Sequence, residues 1–244
     1  MIPLISLFKL VSIFLSCIAT FHLRQNWEKN REDDLIYSFY RFFFYFSIAI
    51  FTFLLPPLGL NPYLIQIDFY ITNFFIFISL AYIGRIVLSL TFFIEMKERI
   101  FKTIVIVAFL DLILGALYFR PALDYIYEFG GMEFIGWLLN WPPLLMFLHA
   151  LVIILFAILT LFLFIIKGLT LTDPLAKRRS LLLGIGAAIL SIAAIAFYSL
   201  GSLIEASFGI DIIHGFSTVL GLIIVLIAIY QKENNLKKIK VGRS

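Results

Sequence analysis

The sequence predicts an all-α polytopic membrane protein, a bundle of seven transmembrane helices with its N-terminus outside and its C-terminus inside. Three observations carry that expectation. The first is composition: of 244 residues 62% are hydrophobic, 14% are charged and 28 are phenylalanine, and the mean hydropathy is +1.05, far from the average of soluble domains. The second is a set of seven apolar runs of about 18 residues or more. At about 1.5 Å per residue, each is long enough to cross about 30 Å of hydrocarbon. The third is charge placement. Fifteen of the 19 Lys and Arg residues fall in the segments after runs one, three, five and seven. The alternate segments hold Arg120 beside six acids: Asp68, Asp124, Glu128, Glu133, Glu205 and Asp211. The positive-inside rule then sets the orientation.

The runs are Pro3 to Leu23, Leu35 to Leu55, Ile67 to Ile94, Ile100 to Phe119, Leu144 to Ile166, Leu181 to Ile204 and Ile212 to Tyr230. The gaps between them are too short for a second folded unit. Residues 1–230 are therefore expected to form one domain, and residues 231–244 a basic cytoplasmic tail drawn to anionic lipid. The whole chain's net charge of +4 and pI near 9.1 belong to this one-sided pattern and do not indicate a nucleic-acid partner. The lone Cys17 excludes an internal disulfide and reads as a buried small residue. Run one lacks a basic stretch before its apolar part, so it reads as a helix and not as a cleaved leader.

Run one ends at "FHLRQNWEKNREDD", whose His22 and Trp27 suit a lipid interface. Arg41 enters run two closely enough to snorkel back along its aliphatic stem. "LLPPLGLNP" stops run two, because proline removes backbone donors and breaks helical continuation. The longest external segment, about residues 120–143, mixes aromatic, apolar and acidic residues around Gly130-Gly131. It is expected to form one or two short interfacial helices, with Tyr125, Tyr127, Trp137 and Trp141 at headgroup depth. Run six spaces small residues as Gly184 with Ala188 and Ala187 with Ser191. Such faces let helices approach closely in lipid, which predicts that run six is the central packing helix, with Ser217 and Gly221 answering on run seven.

Two charges sit inside runs three and four. Arg85 lies nine residues before Ile94, and Asp111 lies nine residues beyond Lys102, so both are about 14 Å deep on antiparallel neighbours. An unpaired charge at that depth costs at least about 2.5–3.5 kcal/mol. The expectation is an intramembrane Arg85–Asp111 pair, direct or bridged by Tyr82 or water, that either fixes helix register or acts as a switch. A second candidate is an outer polar cluster of His149, Glu205, Asp211 and His214. Imidazoles with carboxylates suit a metal or acid–base chemistry, and His149 with His214 is the one pair that could hold haem between helices. The spacing matches no metal motif, so no metal, cofactor or catalytic residue is expected. Ser202 lacks the Gly-x-Ser-x-Gly setting of a hydrolase. Run seven has no lysine for a retinal Schiff base, and "GIGAAI" lies within a helix where no phosphate loop can form.

"LAKRRSLLLGIGAAILSIAAIAFYSLG", with the short turn after it and a last run ending "IAIYQKE", resembles the seven-transmembrane sensor region of bacterial and archaeal histidine kinases. The likeness covers roughly residues 175–233, and topology extends it along the chain. It implies an outside N-terminus, an inside C-terminus and a sensory role. In such kinases the last helix continues into a catalytic region, whereas here about 14 residues follow Tyr230. The expected function is thus a non-enzymatic sensor or signal-transducing module in the cell membrane, acting through a separate protein partner. A structural subunit of a larger membrane complex is the alternative, which outward-facing small residues would favour. A small-ligand or ion transporter is the third, which a water-filled cavity reaching Asp111 would favour.

Overall fold

The computed structural model describes residues 4–54, 61–90, 94–138, 140, 142–197 and 208–231. Its elements, in chain order, are α1 (Leu4–Lys29), α2 (Asp34–Thr52), α3 (Pro62–Ser89), a short 3₁₀ turn (Ile94–Met96), α4 (Lys97–Leu117), β1 (Leu123–Phe129), β2 (Met132–Leu138), α5 (Pro143–Thr170), α6 (Pro174–Ile195) and α7 (Phe208–Tyr230). Among the described residues seven helices are long and apolar enough to cross a membrane, as the sequence predicts.

Local chemistry sets the helix starts. Asp33, Asn61 and Asp173 cap α2, α3 and α6 by accepting from backbone N–H groups of the first turn, donors that otherwise have no partner. Proline stands in the first turn of α3, α5 and α6, where its missing N–H costs nothing.

The helices form a ring: α1 packs on α2 and α7, α2 on α3, α5 on α6, and α6 on α7, while a lighter contact between α3 and α5 completes the circle. Helix α4 lies outside it, against α3, and exposes Ile106, Phe109, Leu110, Ile113 and Leu117. Helix α3, and not run six, is the most enclosed. Buried residues make up 61% of its most apolar stretch, against 22% for α6. Small residues shorten the distance between two helices, but enclosure depends on how many neighbours a helix has. Gly184 faces Ile165 and Phe164 of α5, whereas Gly186 meets α7. A Cβ on Gly186 would lie 2.5 Å from Val225 and 3.2 Å from the Gly221 carbonyl oxygen, and one on Gly221 would lie 2.7 Å from Leu190.

One end of the ring carries the basic segments. There His22 of α1 stacks on Tyr230 of α7 with ring centroids 4.1 Å apart, Trp27 stacks on Tyr40, and Arg179 of α6 donates to the Gln231 carbonyl. Arg41 donates to the Tyr37 hydroxyl at 3.0 Å and lies over its ring.

The opposite end carries an antiparallel β-hairpin, which replaces the interfacial helices expected between residues 120 and 143. The segment alternates side chains on either side of Gly130-Gly131, and both glycines have positive φ, 60° and 76°. Two consecutive left-handed residues make the two-residue turn whose twist matches paired strands. Tyr125 donates to Asp211 of α7 at 3.1 Å. Gly136, its cross-strand partner, leaves room for the ring, since a Cβ there would stand 2.2 Å from Tyr125. The Ala122 N–H donates to the Pro62 carbonyl, and the Trp137 indole nitrogen is buried. Trp141 and the side chain of Tyr127 lie outside the described residues.

Candidate functional site

Three features bring polar chemistry into this apolar chain. The first is a knot of charge at the basic end. Arg85 Nη2 lies 3.0 Å from Asp34 Oδ1 and 2.9 Å from Glu98 Oε1, and Lys97 Nζ lies 2.7 Å from Asp34 Oδ2. The guanidinium also sits over the Phe101 ring, 5.4 Å from its centroid. Arg85 therefore ties the first turns of α2 and α4 to the last turn of α3.

The expected Arg85–Asp111 pair does not form, and helix boundaries explain why. Helix α3 ends at Ser89 and α4 begins at Lys97. Arg85 is thus four residues from a helix end, about 6 Å, while Asp111 is fourteen residues along α4, about 21 Å. The two charges lie toward opposite ends of the bundle.

Asp111 belongs to the second feature, a buried polar seam between α3, α4 and α5. Its Oδ1 lies 2.9 Å from His149 Nε2, and both side chains are under a tenth exposed. Phe77 sets its ring edge-to-face against His149 at 5.0 Å. Asn73 and Gln66, one and three turns before Phe77 on α3, are fully buried, and Gln66 Oε1 accepts from the Asn140 N–H at 3.1 Å. Gly115 admits the Tyr70 ring, which a Cβ would meet at 2.6 Å.

The described members of the expected outer cluster, His149, Asp211 and His214, each face a different partner. His149 faces Asp111, Asp211 accepts from Tyr125, and His214 Nδ1 lies 3.0 Å from the Ala193 carbonyl oxygen. Glu205 and Ser202 lie outside the described residues, as does the segment 232–244. Among the described residues no three His, Cys, Asp or Glu side chains gather as a metal site.

The third feature is an interior cavity of about 180 Å³ between α2, α3, α5, α6 and α7. Phe53, Phe69 and His214 line it toward the hairpin end, and Phe39, Ile86 and Phe164 toward the basic end. The wall is apolar apart from hydroxyls, His214 and one cation, Lys9 of α1, whose ammonium lies 5.6 Å from the centroid of the Phe53 ring. Left empty, such a volume forfeits on the order of 4 kcal/mol of packing, at about 24 cal/mol per Å³. Asp111 is not part of the wall.

No protein-family model matches the chain, and neither does any curated protein.

The cavity and the seam were hidden from the sequence for different reasons. Lys9 is a charge within an apolar run and carries the same signal as Arg85, but its closeness to the chain start lets it pass for an interfacial residue. Gln66 and Asn73 are uncharged and stand out only once α3 is known to be enclosed.

Proposed function

We propose that the chain is a non-enzymatic sensor module of a cell membrane, with its N-terminus and hairpin outside, which passes its signal to a separate protein at the basic, cytoplasmic end. The observation that supports this reading is that the interior cavity and the charge knot share helix α3. Ile83 and Ile86 line the cavity, and Arg85 between them holds Asp34 and Glu98. An occupant that fills the cavity presses on one face of α3, and the opposite face carries the link to α2 and α4. The knot is partly exposed, with side-chain exposures of 15% for Arg85, 38% for Asp34 and 51% for Glu98. Partly exposed ion pairs are worth about 1 kcal/mol or less each, so a cavity term of several kcal/mol is large enough to shift them. The resemblance of residues 175–233 to histidine-kinase sensor regions points the same way, to a kinase or receiver protein as the partner.

The test is purification of the tagged chain from its native membrane in mild detergent, with mass spectrometry of what co-elutes. A stoichiometric kinase or receiver is the expected result. A fixed multi-subunit assembly without a signalling protein overturns the reading in favour of a structural subunit.

A further inference from the structure

The interior cavity is long, narrow and of uneven polarity, and those three properties specify an occupant. Along α2 its wall runs from Phe53 to Phe39, and along α3 from Phe69 to Ile86, which is roughly 20–25 Å at 1.5 Å per residue. That exceeds the ~15 Å that the acyl chains of one bilayer leaflet fill. Spread over such a length, the volume of about 180 Å³ open to the centre of a water-sized sphere leaves, once the sphere's own radius is added, a slot one alkyl chain wide, too narrow for the paired chains of a phospholipid.

The slot has little to offer a polar molecule. Ser79, Thr160, Ser191 and Thr218 donate their hydroxyl protons to carbonyls of their own helices at 2.6–2.8 Å, and Thr72 is held by Thr52 and the Ala49 carbonyl. The hairpin end differs. The Lys9 ammonium lines the cavity there, and among the described residues no ion pair or hydrogen bond engages it. His214, 8% exposed, lines the same end with its Nε2 buried and unpartnered. An ammonium that lines an apolar wall without a counter-charge is costly, and a bound anion supplies one. Lys9 lies five residues from Leu4, about 8 Å along the helix, a depth at which a ligand's polar head stays near the membrane surface while its chain points inward.

Building on the sensor reading, we propose that this cavity binds a single-chain anionic amphiphile, a long-chain carboxylate, with its headgroup on Lys9 and its alkyl chain running between the helices toward Ile86. The close approach of α1 and α7 positions the headgroup site: a Cβ on Gly215, next to His214, would stand 2.2 Å from the ring of Phe8, next to Lys9.

The full chain in phosphatidylcholine nanodiscs, photolysed with palmitate carrying a terminal diazirine, tests this directly. The expected result is saturable labelling of the cavity residues Phe39, Phe164 and Leu183, competed by unlabelled palmitate. Lys9→Met should raise the half-saturating concentration about tenfold to a hundredfold, the range spanned by hydrogen bonds to charged groups, and Lys9→Arg should restore it. Hexadecanol with the same terminal diazirine should label Lys9→Met and the parent protein alike. Ala157→Phe, which fills the slot beside Phe156 and Thr160, should abolish labelling with Lys9 intact and with thermal stability kept or raised. Labelling confined to outward residues such as Phe162 and Leu155, or equal affinity for palmitate with and without the Lys9 charge, overturns the proposal. Labelling is read without any partner, so the two ideas fail separately. A co-purifying kinase with no cavity labelling removes the ligand and leaves the sensor, and cavity labelling with no signalling partner does the reverse.

Discussion

Arg85 and Asp111 each found a partner close to their own end of the bundle, and burial decides how much each pairing is worth. Arg85 bridges two partly exposed carboxylates, whereas Asp111 and His149 are both nearly enclosed. Removing one member of an enclosed pair leaves the other without compensation, so the Asp111–His149 contact is the more consequential for stability. For Arg85 the test is a pair of double-mutant cycles in detergent unfolding. Arg85→Ala with Asp34→Ala should show a coupling of about 0.5–1 kcal/mol, and Arg85→Ala with Asp111→Ala a coupling near zero. A larger coupling for the second pair would restore the pairing that the sequence suggested. That pairing failed because it rested on apolar runs. The run through Ile94 overshot the end of α3 by five residues, and the run from Ile100 missed the first turn of α4, where Lys97 and Glu98 do their bonding.

At the scale of elements, the hairpin and the α6–α7 crossing show two uses of glycine. In the hairpin, Gly130 and Gly131 supply positive φ, and Gly136 supplies space for the Tyr125 ring that reaches Asp211. Tyr125→Phe should speed hydrogen exchange of residues 123–138 about two- to tenfold, since one neutral hydrogen bond contributes about 0.5–1.5 kcal/mol. Gly136→Val, which evicts the ring, should speed it further. Unchanged exchange in both variants would mean that this clasp does not hold the hairpin to the bundle. The hairpin was readable in advance, because alternation around Gly-Gly is a turn signal, but aromatic content drew the reading toward interfacial helices. At the crossing, Gly186→Leu or Gly221→Leu should lower thermal stability by about 1–3 kcal/mol through overpacking. Gly184→Ala should cost less, since its Cβ would meet the Ile165 side chain at 3.2 Å, a tight contact that a shift of a few tenths of an ångström in that side chain relieves. Equal losses at all three positions would place the α6–α7 contact elsewhere.

Across the whole molecule, six helices line the cavity and the seventh, α4, is fastened to the ring by ionic contacts at one end and the Asp111–His149 contact further along. This arrangement gives α4 fewer packing neighbours than any helix of the ring. The proposed orientation has its own check in intact cells. In a Cys17→Ser background, a cysteine replacing Gly131 should react with an impermeant maleimide, and one replacing Asn30 should react only after permeabilisation. The reverse pattern would invert the topology and place the charge knot outside, where no cytoplasmic partner can reach it.

The sequence by itself determined seven apolar helices, their caps and prolines, and the one-sided distribution of charge, because length, hydropathy and helix-end chemistry are local properties of the chain. Only the tertiary structure decided which charges meet, which helix is enclosed and that a slot with Lys9 at one end runs through the ring. Those depend on rotation and depth of one helix against another, and a shift of a few residues in a helix end, invisible to an apolar run, moves a side chain by a full turn.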